Sequence, residues 1–524
     1  MKKIFNKTLC FGLSALLLLS ACKKDVISDL TLAGHQAVDA YQLATAEFGV
    51  AQLVHALPDS TLTTSSTITF TSDGAVSGPQ GNALFPLPDQ SKGHSFALSI
   101  AEINSLTTTG FLQTSFNDTL TFALPQQALI KNIKFRAGQL RIKYSTNCKH
   151  NNAFTVSIPL LKQGGVAFTE QANVNYAGML PVESEVVTDL AGYSINLAFN
   201  GATPSNRLSF MVKDSISYIG NSLQIDDSTF ITVQFVGLEF SNIDGNFGSM
   251  MLPAMQSTFP VEFFNNITAG GLRFKAPSLN LTMSNSMGMP LTGYIDQVAG
   301  QSPITGTTIL HADTLLTGWN YAVPTLKGKT ALRTIKLTGA ISDLPELLYH
   351  APTSMLLNLR DSVRQLPTTY SYFLTDTSSA SIYSELLMPL EGAFDSITML
   401  DTVALNMSVF KDKTIKALRL YVTNSFPVSA TIQIWPLDAA GIRGAALLSD
   451  DGFAAPAGTV KSSGAISAPS VIAQTIAISN TQYQALLHAD RVVCAVKLVT
   501  AASTTVKIGS ASKIKFNIGV QADR

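Results

Sequence analysis

Apolar and polar residues alternate along most of the chain. The clearest examples are Thr67–Phe70, Gln139–Tyr144, Ser278–Met283, Ala417–Val422 and Ser512–Ile518. A period of two residues places one face of a strand on a core and the other face in water, as in antiparallel sheets. The pattern therefore predicts an all-β fold, built from tandem antiparallel sandwich-like modules.

Short segments with glycine separate these runs and predict turns between strands. They are Ser72-Asp73-Gly74, Gln163-Gly164-Gly165, Asp244-Gly245 and Asp451-Gly452.

Helical signals are few and short. Residues 344–366 predict one or two helical turns, interrupted at Pro352. Asn480–Leu487 predicts a capped short helix that leads into a strand at Arg491–Val499.

One plan occurs three times: an alternating strand, a Ser or Thr beside an Asn, and a return that contains Pro. The asparagines are Asn147, Asn285 and Asn424, with separations of 138 and 139 residues. Equal spacing at domain length predicts three copies of one module. Each Asn would cap a hairpin corner, and each Pro would end a strand ladder. The alternative is chance, because β-rich chains hold many such pairs.

The period sets the predicted domain boundaries. They are a signal peptide at 1–21, a tether and N-terminal β-rich segment at 22–108, and β modules at 109–247, 248–386 and 387–524.

Composition narrows the class of protein. Of the 524 residues, 46% are hydrophobic and only 13% are charged, against about 25% charged in a typical globular protein. Thirty-five basic residues balance thirty-five acidic ones, so no net field attracts nucleic acid or an anionic membrane. The hydrophobic content is too high for a disordered chain. Such a composition is typical of extracellular β-sandwiches.

The N-terminus has the order of a secretory signal. Lys2, Lys3 and Lys7 precede an apolar run at Leu9–Leu19, which is too short to span a bilayer that needs about 20 apolar residues. Leu19-Ser20-Ala21-Cys22 follows. This segment resembles the lipobox of bacterial lipoproteins, in which the cysteine is lipidated and becomes the new N-terminus.

The lipobox resemblance implies lipidation at Cys22 and attachment to the membrane through N-terminal acyl chains. Each buried CH₂ of those chains contributes roughly 0.8 kcal/mol, which makes a stable anchor when several chains are present. The alternative is an ordinary signal peptide cut after Ala21, with Cys22 incidental. Removal of Cys10 with the signal and acylation of Cys22 would leave Cys148 and Cys494, which either pair in an oxidising compartment or remain buried free thiols.

A second resemblance rests on Lys23-Lys24-Asp25 after the cysteine, and on corners of the form N-S-x-G-x-P and N-S-F-P. These features, with the long Ser/Thr-rich β modules, resemble uncharacterised surface lipoproteins of the Bacteroidota. In that group a Lys and acidic residues after the lipidated cysteine act as an export signal for the outer face. Val26 stands where a second acidic residue is expected. The resemblance implies an outer-membrane lipoprotein that is surface-exposed, with the periplasmic face as the alternative.

The sequence contains few residue patterns that indicate catalysis or metal binding. G-x-S-x-G, the Walker-type G-x-x-x-x-G-K-[ST] and H-E-x-x-H are all absent, and no cysteine pair has zinc spacing. His-Ala-Asp occurs at His311/Asp313 and at His488/Asp490, and residues i and i+2 share a strand face that could offer two metal ligands. The two copies lie at different phases of the repeat, so no metal site is predicted.

Two acidic pairs and an aromatic segment are further candidates. Asp226-Asp227 and Asp450-Asp451 have the residue types of glycosidase carboxylates or calcium ligands, but their serine neighbours favour solvated turns. Trp319-Asn320-Tyr321 could stack on a sugar. Since Trp319 and Trp435 are the two tryptophans of the chain, each is predicted to be a core anchor.

The sequence thus predicts a non-catalytic, lipid-anchored cell-envelope protein that acts as a structural or interaction module. No catalytic residue, cofactor or metal is predicted, and Cys22 alone is assigned a role. The expected partner is an unidentified protein, glycan or lipid, and not nucleic acid. One alternative is a carrier or binder of an apolar or glycan ligand in a cleft between modules. A less favoured one is a hydrolase with a dispersed site.

Overall fold

The computed structural model describes residues 39–50, 69–199, 203–312, 317–363, 372–405, 407, 410, 415–461, 466–500, 504–509 and 511–522. The predicted signal peptide, Cys10, Cys22 and the segment Lys23-Lys24-Asp25 lie outside the described residues, as does Asp313.

The described residues form mostly β-strands, and every strand pair is antiparallel, so the predicted all-β fold is confirmed. In chain order the strands are β1 (Asp39–Gly49), β2 (Thr69–Ser77), β3 (Gln90–Ala97), β4 (Phe111–Thr121), β5 (Leu129–Thr146), β6 (Asn151–Gln163), β7 (Val166–Val174), β8 (Val182–Asp189), β9 (Ser194–Asn196), β10 (Ala198–Phe199), β11 (Thr203–Pro204), β12 (Arg207–Ser217), β13 (Ser228–Asn246), β14 (Met250–Met251), β15 (Met255–Pro260), β16 (Ile267–Phe274), β17 (Ser278–Asn285), β18 (Leu291–Ser302), β19 (Gly306–Ile309), β20 (Trp319–Asn320), β21 (Ala331–Thr338), β22 (Ser354–Val363), β23 (Tyr372–Thr375), β24 (Ala380–Pro389), β25 (Glu391–Ala404), β26 (Ile415–Asn424), β27 (Ser429–Asp438), β28 (Phe453–Ala455), β29 (Thr459–Val460), β30 (Ile466–Ala468), β31 (Ser470–Ala477), β32 (Ala489–Val499), β33 (Val506–Lys507) and β34 (Lys513–Ala522).

Short helices connect some of these strands. Within the described ranges they are α1 (Gly81–Leu84), α2 (Ile100–Thr109), α3 (Leu344–Tyr349) and α4 (Asn480–Leu487), with single 3₁₀ turns at Pro125–Gln127 and Glu262–Phe264. In this part of the chain no helix has the length and apolar character needed to cross a membrane.

The helix predictions are confirmed in part. Helix α4 has the predicted bounds, and a capping box between Ser479 and Gln482 begins it. Helix α3 has six residues, between one and two turns as predicted, and it ends before Pro352. The strand β22 then begins at Ser354. Helix α2 was not predicted, although Ser99 and Glu102 form the capping box that would have indicated it.

Two of the four predicted turns are wrong. Gly164-Gly165 and Asp451-Gly452 lie in turns, but β2 runs through Gly74 and β13 runs through Gly245. A Cβ atom on Gly74 would lie 2.7 Å from Cβ of Phe259. A Cβ atom on Gly245 would lie 2.5 Å from the Leu129 carbonyl oxygen. These glycines allow close packing within sheets, which local sequence does not distinguish from a turn.

Three groups of four strands share one order. The orders are β3-β13-β5-β8, β2-β24-β17-β21 and β1-β34-β26-β31. Each group is accompanied by a second layer, whose strands pair in the orders β4-β12-β6-β7, β15-β22-β18-β19 and β25-β32-β27-β28. We name these two-layer groups the inner, middle and outer units, respectively. In the inner unit β9 joins the layers by pairing with both β5 and β6.

The units are nested along the chain. Strands β1, β2 and β3 belong to the outer, middle and inner units in that order, and the remaining strands then follow in the reverse order. Strands β16 and β23 are exceptions, since they pair with the outer and inner units, respectively. The strands of the predicted N-terminal segment 22–108 are therefore distributed over all three units. The predicted domain boundaries themselves stay a prediction.

The units lie in a row. We define the corner end of a unit as the end that contains the last residue of β5 in the inner unit, of β17 in the middle unit or of β26 in the outer unit. Gly288, beside the corner end of the middle unit, forms a β-bridge with Phe373 of β23. Strand β23 pairs with the C-terminal part of β13, at the end of the inner unit opposite its corner. Beside the corner end of the outer unit, Val506 pairs with Gly392 near the start of β25. Strand β25 begins just after β24, the last strand of the middle unit, has ended. All three corner ends therefore point the same way, and Asp39, paired with Ala522, lies at the opposite end of the outer unit.

Candidate functional site

The predicted corner asparagines are buried in two of the three units. Asn285 and Asn424 are both fully buried. The Oδ1 atom of each accepts a hydrogen bond from the backbone N–H two residues later, at 2.8 Å from Met287 and 2.9 Å from Phe426. The Nδ2 atom of each donates to the carbonyl four residues later and to a neighbouring loop. Both side chains are thus saturated by backbone groups and hold the corner.

Asn147 does not occupy the equivalent position in the inner unit. Its side chain is exposed, whereas the preceding residue, Thr146, is buried and accepts a hydrogen bond from the Cys148 N–H at 3.1 Å. Thr146, Asn285 and Asn424 are separated by 139 residues in each case. The predicted alignment at Asn147 is therefore one residue out of register, and a shift of one residue moves a side chain to the other face of a strand.

The corner end of the inner unit is built from four loops, at residues 98–110, 147–150, 175–181 and 218–227. They carry large apolar side chains that are exposed, namely Ile100, Met179, Leu180, Ile219 and Ile225, with Met179 at 80% exposure. Their charged residues are only Glu102, Lys149, Asp226 and Asp227. This end therefore presents a surface that is apolar and poor in charge.

A polar cluster lies beneath these loops. Tyr144 on β5 donates its hydroxyl to Asp214 on β12, at 3.3 Å, and both side chains are buried. The ring of Tyr144 also stacks on Phe154, with centroids 4.7 Å apart. Asn152 contacts the same hydroxyl. Burial raises the pKa of Asp214 to about 7 and also raises the pKa of Tyr144.

The middle unit contains a similar pair at the same place in its second layer. Asp214 is paired in the sheet with Phe154, and Asp361 is paired with Gly293, which lies 139 residues after Phe154. Tyr321, from the connection before β21, donates its hydroxyl to Asp361 at 3.0 Å. A Cβ atom on Gly293 would lie 2.9 Å from the Tyr321 ring, so the glycine makes room for that ring. Burial raises the pKa of Asp361 to about 6.

Cys148 and His150 lie close to the inner cluster but have no catalytic arrangement. Cys148 is a buried free thiol whose pKa is raised to about 12 by burial and then by the charge of Asp227, so the thiolate nucleophile is scarce. His150 is buried, and its Nδ1 accepts a hydrogen bond from the Ile219 N–H. Burial lowers its pKa. These groups support the loops and offer no nucleophile with an adjacent base.

The remaining sequence candidates are dispersed over the fold. Cys494 is also a buried free thiol, in the outer unit, and it does not pair with Cys148. His311 and His488 are both exposed, and the described residues contain no group of three or more His, Cys, Asp or Glu side chains that could hold a metal ion.

The acidic and aromatic candidates serve structural contacts. Asp450 and Asp451 are exposed at a turn, as predicted, but Asp227 is buried and accepts a hydrogen bond from the Gln224 N–H. Both tryptophans, Trp319 and Trp435, are only partly buried. The fully enclosed aromatic residue of the Trp319-Asn320-Tyr321 segment is Tyr321, whose role depends on Asp361 and was not predicted.

Comparisons with known proteins assign no family. No protein-family profile matches the chain, and no curated protein matches it. A solved structure from Parabacteroides distasonis, described as a "putative secreted protein", has 15% identity and a TM-score of 0.30, and the match covers 54% of this chain and 88% of that one. The VP2 subviral particle of infectious bursal disease virus has 9% identity and a TM-score of 0.14, covering 90% and 85%, respectively. Likenesses at these scores carry no functional assignment.

Proposed function

We propose that this protein is a non-catalytic, lipid-anchored protein of the bacterial cell envelope, in which a row of β units acts as a structural and interaction module. The observation that carries the proposal is the direction of the row. Asp39, the first described residue, lies at the free end of the outer unit, and the corner end of the inner unit lies at the other extreme. An anchor at Cys22 would therefore hold the exposed apolar loops at the corner end of the inner unit far from the membrane.

The length of the row supports this arrangement. Strand β1 has 11 residues, which at about 3.3 Å per residue extend roughly 35 Å. Three units of similar height extend on the order of 100 Å, well beyond the thickness of a lipid headgroup layer. Outer-membrane attachment with exposure on the cell surface remains part of the same proposal.

The three units also support the proposal of one repeated module. They share the order of their first-layer strands, and their corner positions are equally spaced. A repeat of this kind lengthens a stalk without creating a new active site.

Two experiments test the anchor and the direction. Changing Cys22→Ser should release the protein from the membrane fraction, and a variant that stays with the membrane would refute the anchor. For the direction, single cysteines at Met179→Cys and Ala440→Cys, both at exposed sites at opposite ends of the row, are treated on intact cells with a small and a large membrane-impermeant maleimide.

We expect the small reagent to label both cysteines and the large reagent to label Met179→Cys much faster, because Ala440 would lie beside the membrane. The purified variants provide the intrinsic rates. Equal rates with the large reagent would contradict the proposed direction. Labelling of neither cysteine until the outer membrane is permeabilised would place the protein on the periplasmic face.

A further inference from the structure

A cleft of about 410 Å³ opens on the inner unit, at the end opposite its corner. Four strands cross beneath it in the order β13-β5-β9-β6. Their core-facing residues, Ile243, Ile133, Ile195 and Leu161, are all essentially buried. The outward-facing side chains between these residues line the cleft, so they stand on a packed floor of paired strands.

The outward side chains form two rows across the strands. The first row is Asn242, Lys134, Ser194 and Lys162, each paired in register with the next. The second row is Asp244, Asn132 and Asn196. Since neighbouring strands lie about 4.8 Å apart, the first row extends roughly 14 Å. Amide, hydroxyl and ammonium groups are thus presented at regular intervals along an elongated face.

The cleft is locally cationic although the whole chain is neutral. Lys134 and Lys162 are exposed, and neither forms an ion pair with any described residue. Asp244 is neutralised by Lys327 of the middle unit, whose Nζ lies 2.7 Å from Oδ1 of Asp244 and 3.0 Å from Oδ1 of Asn242. Two lysines that have no ion-pair partner among the described residues therefore line the cleft.

The residues that line the cleft favour some classes of ligand over others. None of the described residues that line the cleft is aromatic, so this part of the chain offers no stacking platform of the kind that a nucleobase would use. Among the described lining residues, Leu160 is the one large apolar side chain that is exposed, since Ile133 and Ile195 are buried in the core, and this disfavours an acyl chain. Asparagine and serine match a ligand rich in hydroxyl groups, and unpaired lysines match carboxylate or sulfate.

From these contacts we propose that the cleft binds a segment of an acidic polysaccharide. The lysines contact its carboxylate or sulfate groups, and Asn132, Asn196 and Ser194 contact its hydroxyl groups. Because the row crosses four paired strands, the backbone positions that carry the binding groups are fixed before the ligand arrives, which reduces the entropic cost of binding. Lys327 neutralises Asp244 and donates to Asn242, and it is not a ligand contact in this proposal.

Calorimetric titration of the purified full chain tests the proposal, with oligogalacturonate as the acidic probe and a dextran oligosaccharide as the neutral probe. We expect oligogalacturonate to bind, with an affinity that falls as salt increases, and dextran to bind at least tenfold more weakly. Lys134→Gln with Lys162→Gln should weaken oligogalacturonate binding at least tenfold. Lys143→Gln, at an exposed site on the same strand β5 but outside the cleft, should leave it unchanged.

Several results would overturn the proposal. They are no binding of oligogalacturonate at millimolar concentration, equal binding of dextran, or equal loss of affinity in Lys143→Gln. Competition by inorganic sulfate at the same concentration as the oligosaccharide would show a simple anion site instead. Unfolding temperatures of the variants, which should match the parent, exclude misfolding as the cause. Failure here leaves the membrane anchor untouched, because Cys22→Ser tests that separately.

Discussion

The buried carboxyl group of Asp214 should make the stability of the inner unit depend on pH. Its pKa rises from 3.8 to about 7 in the folded chain, chiefly because of burial. A raised acid pKa means that the folded state holds the proton more tightly than the unfolded state. The contribution to stability is therefore fully present below about pH 4 and is lost as pH rises through about 7.

The magnitude follows from the shift. At roughly 1.4 kcal/mol per pKa unit, the total change is about 4 kcal/mol, of which about 3 kcal/mol falls between pH 5 and pH 8. Asp214→Asn keeps an acceptor for the Tyr144 hydroxyl but removes the titration. Between pH 5 and pH 8, the unfolding free energy of the parent should therefore fall by about 3 kcal/mol more than that of the variant. His150 titrates in the opposite sense, since its pKa is lowered by burial, and comparison of variant with parent removes its contribution.

Cys148 provides the assay, because the inner unit contains no tryptophan. This thiol is buried two residues beyond β5. Samples equilibrated in urea at pH 5 and at pH 8 receive the same brief alkylation pulse at one pH. Mass spectrometry of the peptide that contains Cys148 then gives the unfolded fraction at each urea concentration. If Asp214→Asn shows the same pH dependence as the parent, the argument that burial raises this pKa is refuted.

Two further predictions concern the other units, each with a tryptophan as reporter. In a Trp319→Phe background, Asn424→Ala should lower the unfolding free energy reported by Trp435 by about 2–4 kcal/mol, because it leaves the backbone groups bonded to Asn424 without partners. The exposed Ser429→Ala is the control, and an equal effect of both changes would contradict the role of the corner. In the middle unit, Gly74→Ala should cost about 1–3 kcal/mol by urea unfolding with Trp319 as reporter, since its Cβ would overlap Phe259. An unchanged urea midpoint would show that Phe259 moves aside freely.

Local alternation of apolar and polar residues was sufficient to predict strands, because the burial of a strand residue depends on its own face. It predicted β17 and β26 closely, and the capping signal of α4 gave that helix its bounds. These features depend on interactions between near neighbours in sequence. The capping box between Ser99 and Glu102 is the corresponding local signal for α2.

Features that depend on distant residues could not be predicted in this way. The glycine Gly245 resembles a turn residue because nothing local shows that the Leu129 carbonyl lies against it. The choice of Asn147 over Thr146 followed residue identity, whereas burial decides which of the two holds the corner. Tyr321 meets Asp361 across 40 residues, so neither residue signalled the pair. Nor did any local pattern indicate the cleft, whose rows combine strands from four separate parts of the inner unit.

The nesting of the three units fixes the order in which they can complete their strand pairing as the chain is synthesised. The inner unit has all its strands except the short β23 once residue 246 has emerged, and the middle unit is complete at residue 389. The outer unit must wait for residue 522, because β1 pairs with β34. Strand β1 is therefore among the first strands to be synthesised and among the last to find its partner. During that interval it has an unpaired edge, which is the state in which strands aggregate. In the anchored protein proposed above, folding would then proceed from the far end of the row towards the membrane.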